Sequence, residues 1–111
     1  MLSKNSILAV DDRGLKTVSI PEWGGDAYIR VLSGVERDKY EAMFSEKDTS
    51  LFKVKFVASS LCDEKGVRLF ETDEDIKALA EKSSRVLNRL FDQCWEHSCL
   101  SPEAVEEAGN A

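Results

Sequence analysis

The residues best suited to chemistry are three sulfur and nitrogen donors towards the end of the chain, Cys94, His97 and Cys99. Donors of these types bind zinc, which generally takes four ligands in a tetrahedral site. The pattern C-x-x-H-x-C supplies three donors and lacks the paired C-x-x-C knuckles of structural zinc sites. Cys94 also continues an apolar helical stripe. We therefore predict that Cys94 serves the core, that the chain has no metal site, and that it uses no cofactor.

Catalytic arrangements are equally weak in this sequence. Its single histidine, His97, would have to serve any Cys–His or Ser–His pair, and Cys94 is a neighbour on the same predicted helix, where such residues touch without forming a cleft. The acidic runs Asp73–Asp75 and Glu106–Glu107 fall where helix capping or a solvated face explains them. Gly24-Gly25 lacks the Lys and Ser/Thr of a phosphate-binding loop. The sequence predicts no catalytic residues and no enzyme.

Composition narrows the class of partner. The chain has 111 residues, with 15 Lys and Arg against 21 Asp and Glu, for a net charge of −6. Nucleic acids and anionic membranes favour clustered positive charge, so neither is expected as a partner. No apolar run approaches the ~18 residues of a membrane span. The odd set of three cysteines, in a chain long enough to fold without disulfides, favours the reducing cytoplasm.

An alternating pattern predicts a β-hairpin near the N-terminus. Lys16–Ile20 alternates polar and apolar residues, and Ala27–Leu32 does so with Tyr28 on the face opposite to its apolar neighbours. Pro21 ends the first strand because it cannot donate to a ladder. Gly24-Gly25 permits a positive φ in the connection.

Helical patterns follow the hairpin. The capping box Ser33-x-x-Glu36 predicts the start of the first helix. The most apolar helix candidate extends from residue 51 to the turn at Asp63–Gly66, where Gly66 is expected in the left-handed conformation. Val67–Phe70 is expected to be extended or to form a small strand pair. A stripe from residue 76 to 100 is interrupted at residues 81–84 by a kink or a new cap, and Ser101-Pro102 predicts a last short helix.

These elements define an α+β fold, with an N-terminal β-hairpin followed by a mostly helical bundle of about four helices. We expect residues 1–14 to form a flexible N-terminal arm, or at most a single short helical turn. Residues 15–108 are expected to form a single domain, and residues 109–111 to fray.

Four aromatic side chains are the candidate partner contacts: Trp23, Tyr28, Phe52 and Phe56. A tryptophan at a hairpin tip beside flexible glycines can anchor a partner, and the other three are expected off the main apolar stripes. The alternative for all four is that they complete the core, as aromatic side chains in small domains generally do.

Several segments, in order, resemble the tail assembly chaperones of long-tailed bacteriophages and prophages. The resemblance covers residues 7–105, nearly the whole chain, and depends on the order and spacing of the segments. They are Pro21-Glu22-Trp23-Gly24-Gly25, Tyr28-Ile29-Arg30-Val31-Leu32-Ser33-Gly34, Glu36-Arg37-Asp38-Lys39-Tyr40-Glu41, Asp63-Glu64-Lys65-Gly66-Val67-Arg68-Leu69-Phe70 and Leu87-Asn88-Arg89-Leu90-Phe91.

The resemblance implies a non-enzymatic role in phage tail morphogenesis, in the bacterial host cytoplasm. Members of that family bind the tape measure protein, keep it soluble, promote assembly of the tail tube around it, and are absent from the mature virion. Many are made in two lengths by a programmed frameshift, and the longer form carries the domain that recruits the tail tube protein. The present chain would correspond to the short form.

Two further hypotheses remain open at this level. The free edge of the hairpin and Trp23 suggest self-association into a homo-oligomer around the client. The alternative to a chaperone is a generic acidic adaptor, or antitoxin-like module, that binds one folded partner.

Overall fold

The computed structural model of the chain describes residues 1–45 and 51–98. In this part of the chain, five α-helices and three β-strands follow one another. They are α1 (Lys4–Ala9), β1 (Leu15–Ile20), β2 (Gly25–Arg30), α2 (Gly34–Ser45), α3 (Phe52–Ser60), β3 (Leu61–Cys62), α4 (Asp73–Ala80) and α5 (Ser84–His97), with a 3-10 turn at Pro21–Trp23 between β1 and β2. The predicted α+β class, a hairpin followed by four helices, is confirmed. The predicted last helix at residues 101–105 and the fraying of residues 109–111 lie outside the described residues.

The hairpin has the predicted antiparallel arrangement. Val18 pairs with Ala27 and Lys16 pairs with Ile29, so these residues share the inner face of the sheet. Val18, Ile20 and Ile29 are buried there. Gly24 has a φ of +85°, and its N–H donates to the carbonyl of Pro21 at 3.1 Å, so the chain reverses through a left-handed glycine.

The third strand corrects the sequence prediction. Residues 61 and 62 continue an apolar helical pattern, but α3 ends at Ser60, and Leu61 and Cys62 pair with Ile29 and Tyr28 of β2. Both residues are almost completely buried by this pairing. Helical periodicity cannot distinguish a buried helix turn from a short buried strand, and tertiary pairing decided between them.

The chain after β3 folds back as an extended segment, as predicted. Cys62 and Arg68 form an antiparallel bridge, and the N–H of Leu69 donates to the carbonyl of Leu61 at 3.2 Å. Gly66 turns the chain with a φ of +82°, which confirms the left-handed conformation expected for it.

The capping signals in the sequence correspond to helix starts. The amide of Glu36 donates to the Ser33 hydroxyl at 3.2 Å, and the amide of Ser33 donates to the Glu36 carboxylate at 3.0 Å, which completes the predicted box at α2. Thr72 and Asp75 form a second box at α4. The interruption at residues 81–84 is a full break, because α5 begins as a separate helix with Ser83 at its N-cap.

α3 is the central helix of the bundle. It packs against α2, α4 and α5, while α5 also contacts β1 and β2 and so closes the inner face of the sheet. The hydroxyl of Tyr40 on α2 donates to the carbonyl of Lys55 at 2.6 Å and lies 2.5 Å from the Ser59 hydroxyl. Tyr40 is buried, so its hydroxyl needs hydrogen-bond partners within the protein, and these contacts join α2 to α3.

The N-terminal segment contains a helix rather than irregular chain. α1 begins after Ser3, whose hydroxyl accepts from the amide of Ser6 at 3.2 Å, and the Ser6 hydroxyl accepts from the Ser3 amide in return. Its side chains are all exposed. The division into an arm at residues 1–14 and a domain at 15–108 stays a prediction. In the described part of the chain, no helix combines the length and apolar character needed to cross a membrane.

Candidate partner-binding surface

Trp23 lies at the end of the hairpin. It closes the 3-10 turn Pro21–Trp23, and the left-handed Gly24 follows it directly. Its side chain is 36% exposed, so one part of the indole contacts the protein and the rest is open to a partner. The predicted position at the hairpin tip is confirmed; partner binding by Trp23 stays a prediction.

An ion pair connects this turn to the helical layer. The guanidinium of Arg89 on α5 donates to both carboxylate oxygens of Glu22, at 2.6 and 2.8 Å. The hydrogen bonds from Arg89 are the main reason that the pKa of Glu22 falls to about 2, so the carboxylate stays ionised. The bidentate geometry holds the turn, and with it Trp23, against α5.

Tyr28 lies on the outer face of the sheet. It pairs with Thr17 of β1 and with Cys62 of β3, and the neighbouring Ile29 is fully buried on the inner face. The Tyr28 side chain is 37% exposed. The alternation in the sequence had placed it on the face opposite to its apolar neighbours, and the structure confirms that placement.

An open groove of about 480 Å³ lies beside Tyr28. It is bounded by β2, by β3 and by the segment after β3, and its apolar lining includes Tyr28, Ala27 and Leu69. Leu69 is half-exposed at this surface. An apolar lining open along one side is suited to a side chain or a short helix of a partner rather than to an enclosed small molecule.

The charged residues of the groove are mostly acidic. Asp26, Asp63 and Glu64 lie on its wall together with one cation, Lys65. The amides of Val67 and Lys65 donate to the Asp63 carboxylate and lower its pKa, so this carboxylate stays ionised. The groove therefore favours a partner that combines apolar side chains with positive charge.

The other two candidates belong to the interior. Phe56 has an exposed fraction of 0% and contacts the rings of Tyr40, Phe91 and Trp95, with centroids 5.1 to 5.5 Å apart. Phe52 is half-buried and lies edge-on to Tyr40 at 5.7 Å. Phe56 is buried even though it was expected off the main apolar stripe, because the packing of α3 against both α2 and α5 buries more than one face of that helix. The alternative given for it, that it completes the core, describes its position. A partner cannot reach Phe56 in this fold.

The possible zinc donors are used differently in the structure. Cys94 is fully buried in the core, and this burial raises the pKa of its thiol to about 12. The Nε2 atom of His97 lies 2.7 Å from the carbonyl oxygen of Gly14. Cys99 lies outside the described residues. Across residues 1–45 and 51–98, no group of three His, Cys, Asp or Glu is placed to hold a metal ion.

One charged cluster was not predicted from the sequence. Arg13 and Arg30 both pair with the Glu36 carboxylate at the start of α2, and Arg13 also donates to the carbonyl of Val31 at 2.8 Å. Arg30 reaches further and donates to the carbonyls of Ser59 and Gly66. These partners are distant in the chain, so no local pattern reveals them.

Comparison with protein-family profiles gives no match, and comparison with curated protein sequences gives none either. Among solved structures, the tail assembly chaperone of bacteriophage HK97 is similar to this chain, with a TM-score of 0.59 and 23% identity. The chain has the fold of a phage tail assembly chaperone. The likeness covers 83% of this chain and 89% of that one, so the fold is shared as a whole rather than in a fragment. The resemblance predicted from the sequence is confirmed at the level of the fold.

Proposed function

We propose that this protein is a non-enzymatic phage tail assembly chaperone. It binds the tape measure protein, keeps that protein soluble in the host cytoplasm, and promotes assembly of the tail tube around it. The observation that carries the proposal is the likeness to the HK97 tail assembly chaperone over most of both chains.

The tip of the hairpin and the outer face of its second strand are proposed as the client surface. Trp23 at the tip and Tyr28 on the outer face are both partly exposed aromatic side chains, and aromatic anchors contribute strongly to protein interfaces. Phe52 is a weaker candidate because its side chain is half-buried. Phe56 is fully buried and is not part of the proposed surface. The net charge of −6 supports a solubilising role, since a charged surface keeps a chaperone and its apolar client in solution.

The remaining features follow from the same proposal. A longer form, made by frameshifting, would recruit the tail tube protein, and neither form would remain in the mature virion. Copies of the chaperone would associate around the client, which is long enough to bind many of them.

Co-expression with the tape measure protein of the same genome tests the proposal. We expect the tape measure protein to move from the pellet to the soluble fraction and to copurify with a tagged copy of this chain. The matched control is a tagged acidic protein of similar size and unrelated fold. A tape measure protein that stays insoluble at equal expression would contradict the proposal. Copurification with one small folded protein instead would favour the acidic adaptor or antitoxin-like alternative.

A further inference from the structure

Positive charge collects at one small pocket of this acidic protein. The pocket has a volume of about 140 Å³, which is room for a few water molecules or one small ion. It lies where the chain enters β1, where β2 ends and where the turn after β3 folds back. The residues that line it are Asp11, Arg13, Leu15, Arg30, Lys65 and Gly66.

The two guanidinium groups of the pocket are held in place by the fold. Nε of Arg13 donates to the carbonyl of Val31 at 2.8 Å. Nη1 of Arg30 donates to the carbonyl of Gly66 at 2.9 Å. Both side chains also pair with the Glu36 carboxylate. Arginines that are already ordered lose little conformational entropy when they bind a ligand.

Glu36 alone does not neutralise the cations of the pocket. Arg13 and Arg30 share its carboxylate, and the contact with Arg30 is long, at 3.5 Å. The Arg30 side chain is 13% exposed, and this burial, together with the nearby Arg13, lowers the pKa of Arg30. Lys65 adds a third positive charge, and its ammonium group forms no ion pair within residues 1–45 and 51–98.

The charge balance of the pocket indicates the kind of ion that fits it. Its three cations face two carboxylates, those of Asp11 and Glu36, which leaves an excess of one positive charge. One monovalent anion neutralises that excess, whereas a phosphate dianion would reverse it. A carboxylate is monovalent, and arginine binds it in a planar, bidentate geometry. The pocket is therefore suited to one carboxylate group.

The neighbouring groove indicates which molecule supplies the carboxylate. Arg30 follows Tyr28 by two residues on β2, so both lie on the outer face of the sheet, about 7 Å apart along the strand. Lys65 lines both the groove and the pocket. A partner segment that places an apolar side chain beside Tyr28 can therefore reach the pocket with an acidic side chain close to it in sequence.

We propose that the pocket formed by Arg13, Arg30 and Lys65 binds the carboxylate of an acidic side chain in the client. This inference rests on the proposed function, because it specifies one chemical group that the client surface recognises. The acidic groove and this pocket together select a client segment that carries charges of both signs around an apolar residue.

A titration of the full chain with sodium acetate tests the pocket without the client. Sodium chloride keeps the ionic strength constant, and NMR follows the Nε–H signals of Arg13 and Arg30, since both groups donate to backbone carbonyls. We expect acetate to shift these signals and the shift to saturate. Inorganic phosphate, titrated in the same way, should bind less tightly than acetate.

Two variants at exposed positions should change acetate binding in opposite directions. Lys65→Gln should weaken it about two- to fivefold, the usual contribution of one exposed charge. Asp11→Asn removes a negative charge from the pocket but keeps the oxygen that accepts from the Arg13 amide, so it should strengthen binding by a similar factor. Lys77→Gln, at an exposed lysine on α4, is the matched control and should change nothing.

Three results of the titration would overturn the proposal. They are a shift that does not saturate, equal weakening by Lys65→Gln and Lys77→Gln, and tighter binding of inorganic phosphate than of acetate. Co-expression with the tape measure protein tests the client, and Lys65→Gln should capture less of it than Lys77→Gln does. Equal capture would overturn the assignment of the carboxylate to the client. A tape measure protein that stays insoluble with the unmodified chain would instead overturn the proposed function, whatever the acetate titration shows.

Discussion

Glu22 and Arg89 are 67 residues apart in the sequence, yet their side chains form a bidentate ion pair that fastens the hairpin turn to α5. The sheet and the helical bundle are thus joined at the hairpin end by a specific polar contact as well as by the apolar core. Trp23 directly follows Glu22 in the same 3-10 turn, so the ion pair restrains the backbone from which Trp23 extends.

Glu22→Gln should make the protein less stable at neutral pH, and the difference should disappear in acid. Since the folded pKa of about 2 lies below the ordinary value of 4.5, the stabilisation is present above pH 4.5 and is lost as the pH falls towards 2. Urea unfolding of both proteins across this range measures it. The pair is exposed, so we expect a small effect that salt weakens. Glu41→Gln, which breaks an exposed pair within α2, is the control; equal pH dependence in both variants would contradict the assignment.

Gly24→Ala and Gly25→Ala form a matched pair in one turn. Gly24 has a φ of +85°, which costs an L-residue about 1 to 2 kcal/mol, whereas Gly25 has no positive φ and open space where a Cβ would lie. We expect the free energy of unfolding to fall by about that amount for Gly24→Ala. It should change by less than about 1 kcal/mol for Gly25→Ala. Equal losses in thermal or urea unfolding would show that the turn differs from the structure described.

Phe56→Ala should destabilise the protein severely. Phe56 is fully buried among the rings of α2, α3 and α5, and such truncations cost about 3 to 5 kcal/mol. Domains of this size have about 5 to 15 kcal/mol of stability in total, so the variant should be close to unfolding. Phe56→Leu should lower the free energy of unfolding by less, because leucine fills more of the space than alanine does. Tyr28→Ala, at a half-exposed position, should change the urea midpoint little by comparison.

The proposed client surface predicts that Trp23→Ala and Tyr28→Ala weaken binding of the tape measure protein while the fold is kept. Truncation of an aromatic anchor commonly costs more than about 1.4 kcal/mol, which is a tenfold loss of affinity. The measurement is the fraction of tape measure protein that copurifies with each variant, with Val35→Ala as an exposed apolar control. If both variants capture the tape measure protein as well as the unmodified chain does, the client surface lies outside the hairpin.

The thiols of Cys62 and Cys94 should resist labelling in the native protein. Both side chains are buried, and burial raises the pKa of each, to about 12 for Cys94. In a Cys99→Ser background, an aromatic disulfide reagent should therefore react only as fast as the protein unfolds. The free energy of unfolding should also depend on pH, because the folded pKa of Cys94 is above its ordinary value of 9. The contribution of the buried neutral thiol is fully present below pH 9 and is lost as the pH rises towards 12. Rapid labelling in the absence of denaturant would contradict the burial.

Several local features of this protein follow from its sequence alone. The capping box at Ser33 and the left-handed Gly66 depend on residues within a few positions of one another, and each was predicted where the structure has it. The hairpin follows from strand alternation with a Pro and Gly turn between. The fold was indicated separately, by the order and spacing of the segments that resemble tail assembly chaperones.

The tertiary structure determined the strand pairing and burial of residues for which hydrophobic periodicity allows more than one arrangement. Leu61 and Cys62 continue a helical pattern but pair with β2. The sequence left open whether Phe56 contacts a partner or completes the core, and the structure buries it against rings of α2 and α5. The groove beside Tyr28 exists only because Leu69, from a segment far along the chain, returns to the sheet. Sequence patterns report which neighbours a residue has along the chain, whereas burial and pairing depend on which elements meet in space.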